Sequence, residues 1–239
     1  MKRASWHAFL LSCPFRIQVN SVKCIVTAGP TYEPLDEVRR LTNFSTGRLG
    51  SELVNFLSAG GHEVTLLIGQ QATWRGDRKT AAVETFTTTE DLRERLRRLK
   101  GPETGAVFHA AAVNDFKFGN VWQGIPGERM RRVRGGKIPT RAESLLVELV
   151  PTAKVIAELR SLFAKAVIVG WKFEVDGTQK AVIEKAERQI AENNTDACVA
   201  NGAAYGAGFG LVTGKGKVLH CETTKELFAG LEQLLIRQG

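Results

Sequence analysis

The sequence predicts an α/β protein with a doubly wound, mostly parallel Rossmann-like sheet, a long flap insertion and a C-terminal hairpin. Three observations predict it. Apolar runs such as VKCIVTAG (22–29) and AVFHAAAV (106–113) are nearly continuous rather than alternating, as in strands buried on both faces. These runs alternate with segments of helical apolar spacing, the pattern of βαβ units. The segments richest in Gly, Asn, Thr and charge begin near strand ends, after Gly29, Val113 and Ala200. Open α/β sheets bind ligands there, beyond the carboxyl ends of their strands.

Each element has its own signal. The first strand covers 22–29, followed by a long polar connection to Thr46. A helix is expected from about Gly47 to Ala59, with Leu49, Leu53, Phe56 and Leu57 on one face and Gly60-Gly61 as its stop. HEVTLLIG and VETFTTT read as the second and third strands. Thr88 or Thr89, followed by Glu90 and Asp91, starts a helix bearing Leu92, Leu96 and Leu99. After the fourth strand, 106–113, periodicity dissolves from Asn114 to Thr140, and a stretch of that length inside a domain points to function or mobility. Helical spacing returns over Pro151–Phe163, AKAVIVGWKF is a buried strand, Thr178–Glu192 a helix and DACVAN a strand. GFGLVTGKGKVLHC reads as a hairpin turning at Gly214–Gly216, and the last helix starts near Thr223.

With 239 residues, a formal net charge of +8, 43% hydrophobic and 24% charged residues, the chain suits a globular domain of substantial core. The basic balance fits nucleic acid, an anionic membrane surface or a phosphorylated small molecule equally. Cys13, Cys24, Cys198 and Cys221 form no C-x-x-C pair, which favours a reducing, cytoplasmic setting over a disulfide framework. The scattered His7, His62, His109 and His220 outline no sequence-local metal site. Residues 1–21 faintly resemble a signal peptide, but His7, Ser12 and Pro14 break the apolar stretch and no A-x-A site follows. They are read as an extension ahead of a domain over 22–239. No run approaches a membrane span.

The loops carry the chemistry. A dinucleotide fingerprint would sit tightly between the first strand and helix, yet STGRLG begins only at Ser45. Ser45, Thr46 and Gly47 nonetheless precede a helix N-terminus, where unpaired N–H groups and the macrodipole favour an anion. An ordinary N-cap is the alternative reading of Ser45 or Thr46.

The surrounding TAGPTYEPLDEVRRLTN resembles the opening motif of phosphopantothenate–cysteine ligases, with Thr27, Gly29, Thr31, Glu33, Asp36, Val38, Arg39, Asn43, Ser45, Thr46, Gly47 and Gly50 in register. AAVNDF (111–116), GGKIPTRAE, VGWKFEVDG and ACVANG resemble later motifs of that family, so the resemblance runs from about Val22 to the C-terminus. It implies a stand-alone ligase that joins 4′-phosphopantothenate to cysteine through an acyl-nucleotidate, using Mg²⁺ with CTP, or ATP, as cosubstrate. It implies a homodimer with the flap of one subunit near its neighbour. Asn43 matches the asparagine linked to the acyl-nucleotidate, and Lys137 the lysine of a closing flap. Asp115 would read the nucleotide's sugar or base, with Gly29, Ala111, Ala112, Phe173 and Asn201 lining the site.

The chain also departs from that pattern. Pro139 and Thr140 replace a second flap lysine, Gln189 and Asn193 stand where fused enzymes carry lysines, and Gly202 replaces an aspartate. Three rival readings remain open: a flavin or nicotinamide oxidoreductase on a similar sheet, a degenerate ligase that only binds nucleotide, and a nucleic-acid-binding protein using RERLRRLK (93–100) and the basic run 129–137. Helical leucine spacing in the first run makes its arginines a solvated helix face, and few aromatics interleave for base stacking.

Overall fold

The computed structural model describes residues 21–80, 82–124, 130–133, 136–138 and 144–236; the proposed extension lies almost wholly outside the described residues. The chain opens with β1 (Lys23–Ala28), the short hairpin strands β2 (Tyr32–Pro34) and β3 (Arg40–Thr42), and α1 (Arg48–Ala59). Then come β4 (Glu63–Gly69), β5 (Ala82–Phe86), α2 (Thr89–Arg98) and β6 (Thr104–His109). A second small sheet follows from β7 (Phe116–Gly124), β8 (Arg131–Val133) and β9 (Ser144–Pro151). The fold closes with α3 (Val155–Leu162), β10 (Val167–Phe173), α4 (Gln179–Asn193), β11 (Ala197–Asn201), β12 (Phe209–Gly214), β13 (Lys217–Cys221) and α5 (Thr224–Ile236).

The main sheet has eight strands in the order β13-β12-β11-β10-β6-β1-β4-β5. All pairings from β11 across to β5 are parallel, and the β12–β13 hairpin adds an antiparallel edge. This is the doubly wound architecture expected, with the strand order reversing between β1 and β6. Helices cover both faces, which explains the continuous apolar strands. Leu53, Val54 and Leu57 of α1 and Leu227 and Leu231 of α5 bury against Val26, Leu66, Phe108 and Val169. On the other face Leu92, Leu96 and Leu159 from α2 and α3 meet Ile25, Leu67, Val107 and Ile168, while Val182 and Ala186 of α4 lie on Cys198, Ala200 and Val212.

Three expectations change. The stretch 114–140 is not wholly irregular: β7 and β8 lie within it and pair with β9 in an antiparallel sheet. Most side chains of this sheet are exposed or half-buried, so no buried face imposes a period of two on the sequence. The fourth strand ends at His109, and residues 110–112 instead thread between backbone groups of the loop after β1. The arginines of α2 are not simply solvated. Arg93 pairs with Glu90 and Glu158, Arg95 with Asp91 and Glu84, Arg97 with Glu158 and Glu90, and Arg98 with Glu84. Carboxylates therefore already answer this basic run, which weakens the nucleic-acid reading.

Candidate active site

The loops after β1 and β6 meet at the point where the strand order reverses. Ala110 N donates to Thr27 O, Ala112 N to Gly29 O, and Thr31 N to Ala112 O, at 3.0, 3.0 and 3.1 Å. Below this junction Thr27 Oγ1 lies 2.8 Å from His109 Nδ1 and accepts Ala111 N at 3.2 Å. Burial pushes the His109 imidazole down to about 4 from its ordinary 6.5, so the ring is neutral near pH 7. Its role is to pin two strand ends.

Glycine brings α1 to the same place. Gly29 and Gly47 both have φ of +76°. A Cβ on Gly47 would stand 3.4 Å from Gly29 Cα and 2.9 Å from Ile68 Cδ1. The strand end and the helix start are thus in contact despite their separation in sequence. Residues 30–46 form an excursion, the β2–β3 hairpin, out of what is otherwise a tight strand-to-helix turn. Gly47 itself is the N-cap of α1 and provides no side-chain cap. Ser45 and Thr46 are therefore not the N-cap residue, because the left-handed Gly47 intervenes; Thr46 Oγ1 instead accepts Arg48 N at 3.2 Å. The first turn carries no acidic residue, a favourable setting for an anion.

Asn43 lies between the hairpin and α1. Its side chain is exposed, and Nδ2 donates to Ala112 O at 3.2 Å. The motif residues around it are mostly structural. Buried Thr31 accepts Asn114 N on Oγ1 at 2.9 Å, and its carbonyl accepts Thr42 Oγ1 at 2.9 Å. The buried Glu33 carboxylate accepts Thr89 N at 3.0 Å and so caps α2. Asp115 is exposed on the bend after residue 114, and its carbonyl accepts Thr152 N at 2.9 Å. Lys137 is exposed between Gly136 and the buried Ile138.

The family of DNA/pantothenate metabolism flavoprotein C-terminal domains matches residues 19–233. The chain belongs to that family. Among curated relatives, the coenzyme A biosynthesis bifunctional protein CoaBC of Thermococcus kodakarensis is 31% identical over 180 residues, 75% of this chain and 41% of its own length. A cysteine/cysteine sulfinic acid decarboxylase from an unknown prokaryotic organism is 28% identical over 199 residues, 82% of this chain and 50% of its own. The chain thus spans about half the length or less of these relatives. A DNA/pantothenate metabolism flavoprotein from Streptococcus pneumoniae shares the fold with a TM-score of 0.79 at 22% identity, covering 92% of this chain and all (100%) of that one. So does a Cab2 mutant H337A in complex with phosphopantothenate-cysteine, at a TM-score of 0.65 and 17% identity, covering 90% and 88%.

The far side of the site in this pantothenate-metabolism domain is set by β10 and β11. Phe173, 66% exposed, and Asn201 are register partners at the two strand ends. Asn201 Oδ1 and the nearby Trp171 Nε1 are buried without a hydrogen-bond partner. Gln189 and Asn193, positions at which the ligase resemblance implies lysines, face inward. Gln189 Nε2 contacts Cys198 Sγ at 3.2 Å, and Asn193 Nδ2 bonds Gln189 O at 2.7 Å. The cations at this edge are Lys172 and Lys185, both held by Glu174 at 3.1 and 2.5 Å. Gly202 has a positive φ and leaves no room for a side chain, since a Cβ would fall 2.3 Å from Glu174 O. Sequence analysis did not single out Glu174 or Lys172 as site residues; their signal was membership of the VGWKFEVDG motif at the end of a buried strand. Among the described residues no group of three or more His, Cys, Asp or Glu could hold a metal. Among those residues, too, no helix is long and apolar enough to cross a membrane.

Proposed function

We propose that this domain joins 4′-phosphopantothenate to cysteine at the expense of a nucleoside triphosphate, with CTP preferred to ATP. The observation that carries the reading is the meeting of three features at one junction: the Asn43 amide, the Ala110–Ala112 backbone, and the α1 N-terminus without a side-chain cap. Membership of the family and likeness to the bifunctional coenzyme A protein support it. The fold it shares with a Cab2 mutant in complex with phosphopantothenate-cysteine agrees with it.

The substrate carboxylate attacks the α-phosphorus of the triphosphate and pyrophosphate leaves. The amine of cysteine then attacks the acyl carbon, losing a proton as the nucleoside monophosphate departs. Both steps concentrate negative charge on phosphoryl and acyl oxygens, so they need oriented N–H donors and cations away from bulk water. In our reading, backbone N–H groups at the start of α1 receive a phosphoryl oxygen, with Gly29 and Gly47 allowing close approach. Asn43 has a second N–H beyond the one used on Ala112, and offers it to the acyl-nucleotidate. Lys137 supplies a mobile positive charge, Asp115 reads the sugar or base, and Phe173 and Asn201 close the far wall. Mg²⁺ would enter as part of the triphosphate cosubstrate and would offset its charge, in line with its preference for phosphate oxygens and water.

A second copy of the chain completes the proposed assembly. Val38, Phe44, Phe116, Leu146 and Leu149 leave large apolar surfaces exposed on and beside the two small sheets, which suits a subunit interface. Pyrophosphate release measured with 4′-phosphopantothenate, cysteine, Mg²⁺ and either CTP or ATP tests the reaction. Sustained release that requires all the components is expected, faster with CTP. Silence with both nucleotides overturns the proposal.

A further inference from the structure

We infer that Asp36 is a positioning residue for Lys137, holding the lysine's segment against the hairpin that leads to Asn43; this rests on the ligase reading of Lys137. Residues 136–138 belong to no strand or helix, yet their backbone is bound on both sides of the lysine. Before it, Gly136 O accepts Glu37 N at 2.9 Å. After it, Ile138 N donates to Asp36 Oδ2 at 3.1 Å, and Ile138 O accepts Arg39 Nη2 at 2.6 Å. The Ile138 side chain is buried, 3% exposed, which anchors the segment further.

The clasp is itself rigid. Asp36 Oδ1 accepts Val38 N and Arg39 N at 2.9 and 2.8 Å, while Oδ2 takes both Nε and Nη2 of Arg39 at 3.1 and 2.6 Å. The Asp36 side chain is fully buried (0% exposed). The Ile138 N–H, ahead of those of Val38 and Arg39, holds its carboxyl well below the usual carboxylate range, so the acceptor stays ionised. Leu35 N closes the turn on Arg39 O at 2.8 Å, and the turn is the loop of the β2–β3 hairpin. From β3 the chain runs straight to Asn43. The bonds to Ile138 span 102 and 99 residues of sequence, so the clasp is a long-range contact rather than a local turn. Asp36 and Arg39 neutralise each other, so the clasp fixes the backbone at Lys137 without consuming the lysine's charge.

The test uses the full chain and the variants Asp36→Ala, Lys137→Ala and the double variant. Backbone exchange at Ile138 should lose its protection in Asp36→Ala and keep it in Lys137→Ala. The Asp36→Ala change should lower kcat/KM for the triphosphate about 100-fold, the scale of a misplaced catalytic group, with KM for cysteine unchanged. In the Lys137→Ala background it should cost nothing more. Should Asp36→Ala not fold, Arg39→Lys, which keeps the charge but loses the fork, should show the same non-additivity at smaller size. Additive losses, or wild-type protection at Ile138 in Asp36→Ala, overturn the inference. A folded wild type that releases no pyrophosphate overturns the ligase reading instead, while Ile138 exchange still decides whether the clasp exists.

Discussion

The amide nitrogen of Asn43 donates to the carbonyl oxygen of Ala112 at 3.2 Å. One residue follows the β2–β3 hairpin and the other follows β6, so a single side chain ties together the loops that diverge from the two central strands. A backbone carbonyl as partner fixes which end of the amide points inward. The Nδ2 side must face Ala112, which sets the orientation of the remaining N–H and of Oδ1. A residue offering only acceptors could not make this contact.

Replacing Asn43 by Asp tests that requirement. A carboxylate would face the Ala112 carbonyl with no proton to share and would add charge where phosphoryl and acyl oxygens gather. Nucleotide binding should persist, while amide formation falls about 100- to 1,000-fold, the scale of losing one oriented donor to a developing oxyanion. Rapid quenching should then reveal accumulated acyl-nucleotidate. Amide formation at the wild-type rate would remove Asn43 from the chemistry.

Gly50 tests how α1 reaches the site. A Cβ there would stand 2.6 Å from Ala28 Cβ, in the middle of the contact between α1 and β1. Its φ is not positive, so crowding alone decides the outcome. Gly50→Ala should destabilise the domain by about 1–3 kcal/mol, the usual cost of overpacking, read from the urea midpoint at an unchanged m-value. It should also weaken triphosphate binding, since the helix start must move away from Gly29.

Arg160 supports the opposite end of the sheet. Its guanidinium donates to the carbonyls of Asn194, Ala164 and Ala166 at 2.9, 3.1 and 2.9 Å, and to Asp196 Oδ2 at 2.7 Å. The same carboxylate oxygen accepts Ile168 N at 2.7 Å. One side chain thus serves the turns after α3 and α4, far from the proposed chemistry. Arg160→Ala should cost roughly 2–3 kcal/mol of stability by leaving carbonyls and a carboxylate without their charged donor. Thermal unfolding should show that loss, with kcat unaltered below the new transition.

The central sheet was legible because burial on both faces writes itself into the sequence as unbroken apolar runs, such as CIVTA in β1 and VIVG in β10. The small sheet was not, because Phe116, Lys117, Gly119 and Ser144 face solvent and answer to no core. Asn43 and Lys137 were singled out through the family resemblance. What spacing could not convey is that Asp36, seen only as a motif position, grips a segment a hundred residues away. Nor could it show that Gly29 and Gly47 touch, because a hairpin excursion hides a short turn. The inward aim of Gln189 follows from its packing against Gly170, a contact between elements that the sequence does not display.

His109 gives the last prediction, and its sign follows from its surroundings. The ring is 6% exposed, and its register partners in β1 and β10 are Thr27 and Gly170, neither of which carries charge. Burial lowers its pKa from 6.5 to about 4, so the unfolded chain binds a proton through that window and the folded chain does not. The stability that comes from keeping the ring neutral is complete above pH 6.5 and is lost as the pH falls towards 4. At about 1.4 kcal/mol per pH unit, the loss across the window is on the order of 3 kcal/mol. Asp91, held by the Thr87 N–H and then Arg95, Glu158, held by Arg93 and Arg97, and Glu174, held by Lys185 and Lys172, have carboxyls below their ordinary values, so they add to acid sensitivity only below about pH 4.5. Between pH 6.5 and 4.5 the slope therefore belongs to His109 among these groups. Urea unfolding at half-unit steps should show it in the wild type, and His109→Gln, which retains a polar partner for Thr27 but cannot titrate, should flatten it. An equal slope in both proteins would mean that the imidazole takes up its proton without leaving the fold.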